Sequence, residues 1–228
     1  MIIVQRLGTP ALLLGLTLAF PGSALASSDE QLWTTVGASV KLSDNWRLQQ
    51  ELVARFSDNR NGLYEVESTT LLGYRLNKIM TLSAGYVRNP QYSGGDFTVM
   101  EHRAREQLTF DNVAKLGPGK LSARIRLEQR WRDGVDGTGW RMRPYVKYSI
   151  PLKGKTALNV SNETFLNLNT VTFQRQSGLD RMRNLITVST PLAKSLNGEA
   201  GYMNQHGFVR GGEDNTDHAA YVAVSLSL

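Results

Sequence analysis

Along this chain polar and apolar side chains alternate in runs of about ten residues, and the polar member is very often charged. The clearest run is Leu121 to Trp131. In an extended strand Leu121, Ala123, Ile125, Leu127 and Trp131 fall on one side, while Arg124, Arg126, Glu128, Arg130 and Arg132 fall on the other. A soluble sandwich would turn the arginines to water and the apolar face to a core. A transmembrane barrel inverts that arrangement, with apolar residues on lipid and charges in a lumen.

Period-two runs broken by turn residues predict eleven strands, at 31–42, 46–57, 62–76, 79–90, 98–111, 119–132, 139–150, 155–167, 177–190, 197–206 and 217–228. No stretch carries a helical stripe. Single-chain bacterial barrels have an even number of strands. The odd count therefore points to an error, either a Gln31–Leu42 segment that is not a full wall strand or an extra strand hidden in a long segment. The expected fold is an all-β, closed antiparallel transmembrane barrel of about 10 to 12 strands.

The connectors differ in character. Those at Ser43 to Asn45, Asn77 to Lys78, Pro151 to Gly154 and Ala193 to Leu196 are tight, whereas Tyr92 to Phe97, Asp133 to Gly139 and Gly207 to Thr216 are longer and rich in Gly and Asp. Asn112 to Pro118 is longer than its place among the short turns predicts. Short periplasmic turns opposite longer extracellular loops are the asymmetry of an outer-membrane barrel.

Sorting by parity predicts a lipid face of Trp46, Leu48, Leu52 and Phe56; Tyr64, Val66, Leu72, Tyr74 and Leu76; Met80, Leu82, Ala84 and Tyr86; Trp140, Met142, Val146, Tyr148 and Ile150; and Ala220, Val222, Val224, Leu226 and Leu228. Its Tyr and Trp residues lie mostly near strand ends, as an interfacial girdle requires, although aromatics also cap strand ends in other β proteins. The opposite parity carries the charges, and arginine dominates among its cations. A confined lumen favours Arg because the planar guanidinium makes two-point bonds to carboxylates and keeps its charge when partly buried.

Residues 1–26 read as a cleaved signal peptide, with one early charge at Arg6, a short apolar run from Ala11 to Phe20 and the small-residue site Ala24-Leu25-Ala26. The remaining 27–228 form one expected barrel domain. Loss of Arg6 takes the net charge from +6 to +5, spread along the strands, so nucleic acid is an unfavoured partner. The chain has no cysteine, hence no disulfide, thiolate metal site or acylated anchor. The expected location is the cell outer membrane, and the expected partners are its lipids and, during biogenesis, the barrel-assembly machinery.

The motifs Glu101-His-Arg103, Arg124-Ile-Arg-Leu-Glu-Gln-Arg130, Arg141-Met-Arg143, Asn162-Glu163, Arg181 to Arg183 and Gly201-Tyr202 occur in this order along the chain. In that order they resemble a family of Gram-negative outer-membrane barrels known only as a domain of unknown function. The resemblance covers essentially all of 27–228 and implies fold and location without an activity. The chain ends on Leu228, where typical barrels close on a terminal aromatic.

The candidate site is a lumen charge cluster of Arg103, Arg105, Arg124, Arg126, Glu128, Arg130, Arg132, Arg141, Arg143, Glu163, Arg181 and Arg183, with most of its arginines in the outer half and Glu65, Glu67 and Glu101 nearby. Its excess of positive charge fits a narrow passive channel biased toward small anionic solutes. The alternative is a non-conducting barrel, either a salt-bridged lumen that braces the wall and passes nothing, since small barrels are filled by their own side chains, or a surface-interaction protein whose loops bind a partner. A lipid-modifying hydrolase needs a serine beside an outward histidine. His102 is expected near the outer rim among Tyr86, Arg88, Gln129 and Trp131, with no serine. No enzyme, catalytic residue, metal site or cofactor is expected. The acidic loop Gly211 to Asp217 lacks the regular ligand spacing of a calcium site.

Overall fold

The computed structural model describes residues 27–228, so the signal-peptide reading lies outside the described residues. All eleven expected strands are present: β1 (Ser27–Lys41), β2 (Trp46–Ser57), β3 (Gly62–Arg75), β4 (Met80–Ser93), β5 (Asp96–Leu116), β6 (Gly119–Arg132), β7 (Val135–Pro151), β8 (Ala157–Asn167), β9 (Gly178–Pro191), β10 (Leu196–Gly207) and β11 (Asn215–Ser227). Each pairs with its chain neighbours, and the sheet closes between β11 and β1.

The closure resolves the odd count. With eleven strands alternating in direction, the first and last run the same way, so the seam must be parallel. β1 and β11 pair in parallel from Ser27↔Asn215 to Ser39↔Ser227, while β1 also pairs antiparallel with β2. The Gln31–Leu42 segment is thus a full wall strand, and the barrel is mixed at one seam instead of wholly antiparallel.

Two of the expected long loops are largely strand. Around Tyr92 to Phe97 the hairpin continues to Ser93↔Asp96 and turns only at Gly94 and Gly95, both with positive φ. Around Asp133 to Gly139 it continues to Arg132↔Val135 and turns at Asp133-Gly134. Gly and Asp supply the reversal there, and the flanking polar residues keep pairing. At the same end, the loop end, 168–177 and 208–214 are longer connections. The opposite, turn end carries 42–45, 76–79, 117–118, 152–156 and 192–195. Asn112 to Leu116 also belongs to β5, after a register shift between Phe110 and Ala114.

The face assignment holds along most strands. Leu48, Leu72, Leu82, Ile125, Val146, Val160, Ile186 and Val222 all point outward and are exposed. Toward the turn end Trp46 packs on Tyr74 at 4.8 Å between ring centroids, and toward the loop end Tyr86, Trp131 and Tyr202 stand outward. Glu106, between Ala84 and Leu127, is a charged residue within this outer face. Tyr64 departs from its expected place: a register shift between Arg55 and Phe56 makes both Tyr64 and Glu65 buried, and the Tyr64 hydroxyl donates to Gln31 Oε1 at 2.9 Å. A bulge adds one residue, and one residue reverses a side chain's face.

Candidate functional site

Period-two Arg-x-Arg pairs put both guanidiniums of a strand inside the barrel, and four strands, β5, β6, β7 and β9, do this. All twelve predicted cluster residues point into the lumen. Four carboxylates are its hubs, each shared by three arginines. Glu67 takes Arg55, Arg103 and Arg105; Glu101 takes Arg103, Arg130 and Arg132; Glu128 takes Arg105, Arg141 and Arg143; Glu163 takes Arg124, Arg143 and Arg183. Arg105, Glu101 and Glu128 are almost wholly out of contact with solvent. A buried charge is tolerated only when paired and hydrogen-bonded, and planar forks meet that demand with two bonds per partner, as Arg141 does to Glu128 at 2.9 and 2.6 Å.

These pairs join into a circuit. Arg55 on β2 reaches Glu67 on β3 (3.4 Å), Glu67 reaches Arg105 on β5 (2.9 Å), Arg105 reaches Glu128 on β6 (2.7 Å), Glu128 reaches Arg143 on β7 (2.9 Å), Arg143 reaches Glu163 on β8 (2.8 Å), and Glu163 reaches Arg183 on β9 (3.5 Å). Between β9 and β2 the closing member is aromatic. The guanidiniums of Arg183 and Arg55 lie 4.4 and 4.1 Å from the ring centroid of Trp33 on β1. Trp33 is fixed by its indole N–H donating to Gln31 Oε1 at 2.7 Å and packs with Met203 and Ala219, where β10 and β11 bring no arginine to the ring.

The ring lies between two cavities. A mouth cavity of about 350 Å³ at the loop end and a mid-barrel cavity of about 190 Å³ are both lined by Trp33, Arg55, Glu67, Arg143 and Arg183. The same side chains form the floor of one and the roof of the other. They are a septum.

Not every predicted member joins it. Arg126 meets no carboxylate within ion-pair distance and donates instead to Gln107 Oε1 at 3.0 and 2.8 Å. Arg181 pairs with Asp180 at the mouth, and Arg132 and Arg130 hang from Glu101 above the ring. Several members escape a search for charges. Besides Trp33, Phe165 has four guanidiniums over its ring at 4.4 to 5.7 Å, from Arg143, Arg183, Arg141 and Arg181. Both aromatics sit on the polar parity of their strands, beside Gln31 and Thr35 and beside Glu163 and Asn167, and that misplaced aromatic is the available signal. The 168–177 loop folds over the mouth: Gln174 is buried and accepts from Arg130 at 3.0 Å, while Phe173 lies 4.9 Å from the Arg132 guanidinium.

On the outside, His102 bonds to the Tyr86 hydroxyl and, at 3.0 Å, to Asp133 Oδ1, and it stacks on Trp131. These partners are a phenol, a carboxylate and an indole, with no serine among them. Among the described residues no group of three or more His, Cys, Asp or Glu side chains is arranged to hold a metal ion.

A family model described as "Protein of unknown function (DUF2490)" matches residues 30–216. The chain belongs to the DUF2490 family. The match runs from β1 into β11 and contains every residue of the ring. The chain is also similar to the uncharacterized protein MexAM1_META1p0181 of Methylorubrum extorquens, at 27% identity over 202 residues and 86% of each chain. No solved structure matches this DUF2490 chain.

Proposed function

We propose that this DUF2490 protein is an integral outer-membrane barrel whose lumen is sealed at rest by the arginine–glutamate ring, with an anion-receptive cup above the seal. The outward apolar face and its aromatic ends support placement in a bilayer, because a closed sheet alone leaves no unpaired edge in hydrocarbon. On this reading the short connections face the periplasm, and the 168–177 and 208–214 loops face outward.

The carrying observation is the closed circuit from Arg55 round to Trp33. A passive anion channel needs guanidiniums that exchange partners with a passing ion. Here the forks of the ring are already committed, those of Arg55, Arg105 and Arg143 to carboxylates and that of Arg183 to Gln205 Oε1 at 2.8 Å. Removing them from those partners costs several kcal/mol each in a buried site. The arginine bias therefore acts at the mouth, and the non-conducting reading is favoured over the passive channel.

Two experiments test this. The protein is expected in the outer-membrane fraction with heat-modifiable migration on gels; a soluble periplasmic species would refute the location. Proteoliposomes loaded with a halide-quenched dye are expected to admit chloride no faster than protein-free vesicles. An influx rate that scales with protein content would refute the seal.

A further inference from the structure

Three guanidiniums at the mouth keep donors that no side chain uses. Arg132 spends only its Nε on Glu101, at 2.8 Å, and Arg181 spends only its Nε on Asp180, at 2.8 Å. Arg141 spends Nε and Nη2 on Glu128, which leaves Nη1. None of these remaining nitrogens is sealed from water: the buried unpartnered guanidinium atoms among the described residues are the Nε atoms of Arg55, Arg124 and Arg143. The side chains of Arg132 and Arg181 are 22% and 38% exposed, in contrast to the hub carboxylates below them. All three line the one mouth cavity of about 350 Å³, which is within the usual size range of small-molecule sites.

The forks are also held in place. Arg141 and Arg181 rest on the ring of Phe165, at 5.2 and 5.7 Å, and Arg132 rests on Phe173, at 4.9 Å. Stacking and a single Nε bond fix the guanidinium planes of Arg132 and Arg181 while their Nη edges stay free, Arg141 adds the one free donor Nη1, and a fixed fork loses less entropy on binding an oxyanion. The lining presents nine arginines and five carboxylates, and Glu101, Glu128 and Glu163 pair with several of those arginines from behind, so the attraction for an anion rests on the unused donors and not on a large net charge.

We infer that the mouth cavity is a binding site for a small dianion presenting phosphate or carboxylate oxygens, gripped by the free edges of Arg132 and Arg181 and by Nη1 of Arg141. A spherical halide lacks the paired oxygens that match a guanidinium fork. The inference deepens the sealed-barrel reading and rests on it only for the claim that the ion stops at the mouth. The 168–177 loop, which carries Phe173, would then tighten when the site fills.

The test is titration calorimetry on the refolded full barrel with inorganic phosphate and with succinate, against sodium chloride at equal ionic strength. Saturable binding is expected for at least one dianion and not for chloride. Tighter phosphate binding assigns the site to phosphate-bearing ligands, and tighter succinate binding to dicarboxylates. Absence of saturable binding by both overturns the site. In Arg132→Gln/Arg181→Gln, affinity is expected to fall at least about tenfold, since two charge-assisted contacts are lost. Unchanged affinity in that variant, with heat-modifiable migration intact, also overturns it. Should the double variant not fold, Arg181→Lys keeps the charge at an exposed position but removes the fork; it is expected to weaken binding, and full retention would refute two-point recognition. Vesicles that leak while binding persists would refute the seal and leave the site standing.

Discussion

The two halves of this lumen use different chemistry to fill the same cylinder. Toward the loop end the wall is bridged by ions: four glutamates each hold three arginines, and Glu101, Glu128 and Arg105 are essentially out of reach of water. Toward the turn end hydroxyls and amides are the commonest inward groups, and a cavity of about 580 Å³ is lined by Ser39, Gln49, Thr81, Ser83, Gln107 and Thr109 together with Arg47, Arg75, Lys78, Asp44 and Asp111. There Ser149 donates to Asn159 at 2.8 Å, and Asn159 donates to Ser189 at 3.0 Å. Neutral groups bond locally along the wall and leave the larger cavity between them. Long charged side chains span between strands and occupy the centre. The difference teaches that a polar lumen is not by itself an open one, and that the reach of the side chains decides.

The sharpest way to break the comparison is at a hub. Glu128→Ala takes from the buried Arg141 its one carboxylate partner and leaves Arg105 with Glu67 and Arg143 with Glu163 alone, with an expected loss of about 3–5 kcal/mol, measured by urea unfolding of the refolded barrel. A loss near that of a turn-end substitution would mean that the ion network does not brace the wall.

A second probe tests how closely the strands themselves are drawn together. A Cβ on Gly201 would lie 2.1 Å from the Ile186 carbonyl oxygen and 2.6 Å from Thr187 Cα, so the backbone must shift. Gly201→Ala is expected to destabilise by about 1–3 kcal/mol in the same assay, with no change if β9 can move away freely. On the turn-end side Ser149→Ala removes one neutral bond and should cost about 1 kcal/mol, well below Glu128→Ala.

The smallest expected effect is local. Asp214 in the 208–214 loop accepts from the Val209 amide at 2.8 Å, and this bond, with the nearby His206 side chain, holds its carboxyl below the ordinary value of 3.8. A depressed carboxyl contributes order above its ordinary range and loses that contribution as pH falls through the lower folded value. The Val209 amide signal should therefore titrate with a midpoint below 3.8 and stop titrating there in Asp214→Asn. A midpoint at or above that value would contradict the contact.

Much of the wall was legible from alternation alone, because a strand with one apolar and one polar face can satisfy only one orientation. That reasoning located all eleven strands and the inward arginines. Tyr64 escaped it because a bulge breaks strict parity, and bulges leave no mark in a period-two pattern. Asp133 to Gly139 escaped because Gly and Asp announce a reversal without saying how many residues it consumes. Trp33 showed only its inward parity, and Gln174 showed nothing. Their partners, Arg183 and Arg130, are brought near only by closure of the cylinder and by the fold of a loop over its end. The parallel seam was equally hidden, since pairing between the first and last strands is a property of the closed sheet.

Single-channel recording in planar bilayers, on the wild type and on Trp33→Ala under a salt gradient, tests the seal most directly. Removing the indole opens the ring where Arg55 and Arg183 meet it, and heat-modifiable migration verifies that the variant remains a barrel. The wild type is expected to give a flat trace and Trp33→Ala discrete steps with an anion-selective reversal potential. Steady steps from the wild type, or a folded Trp33→Ala barrel that stays silent, would contradict a septum closed at Trp33.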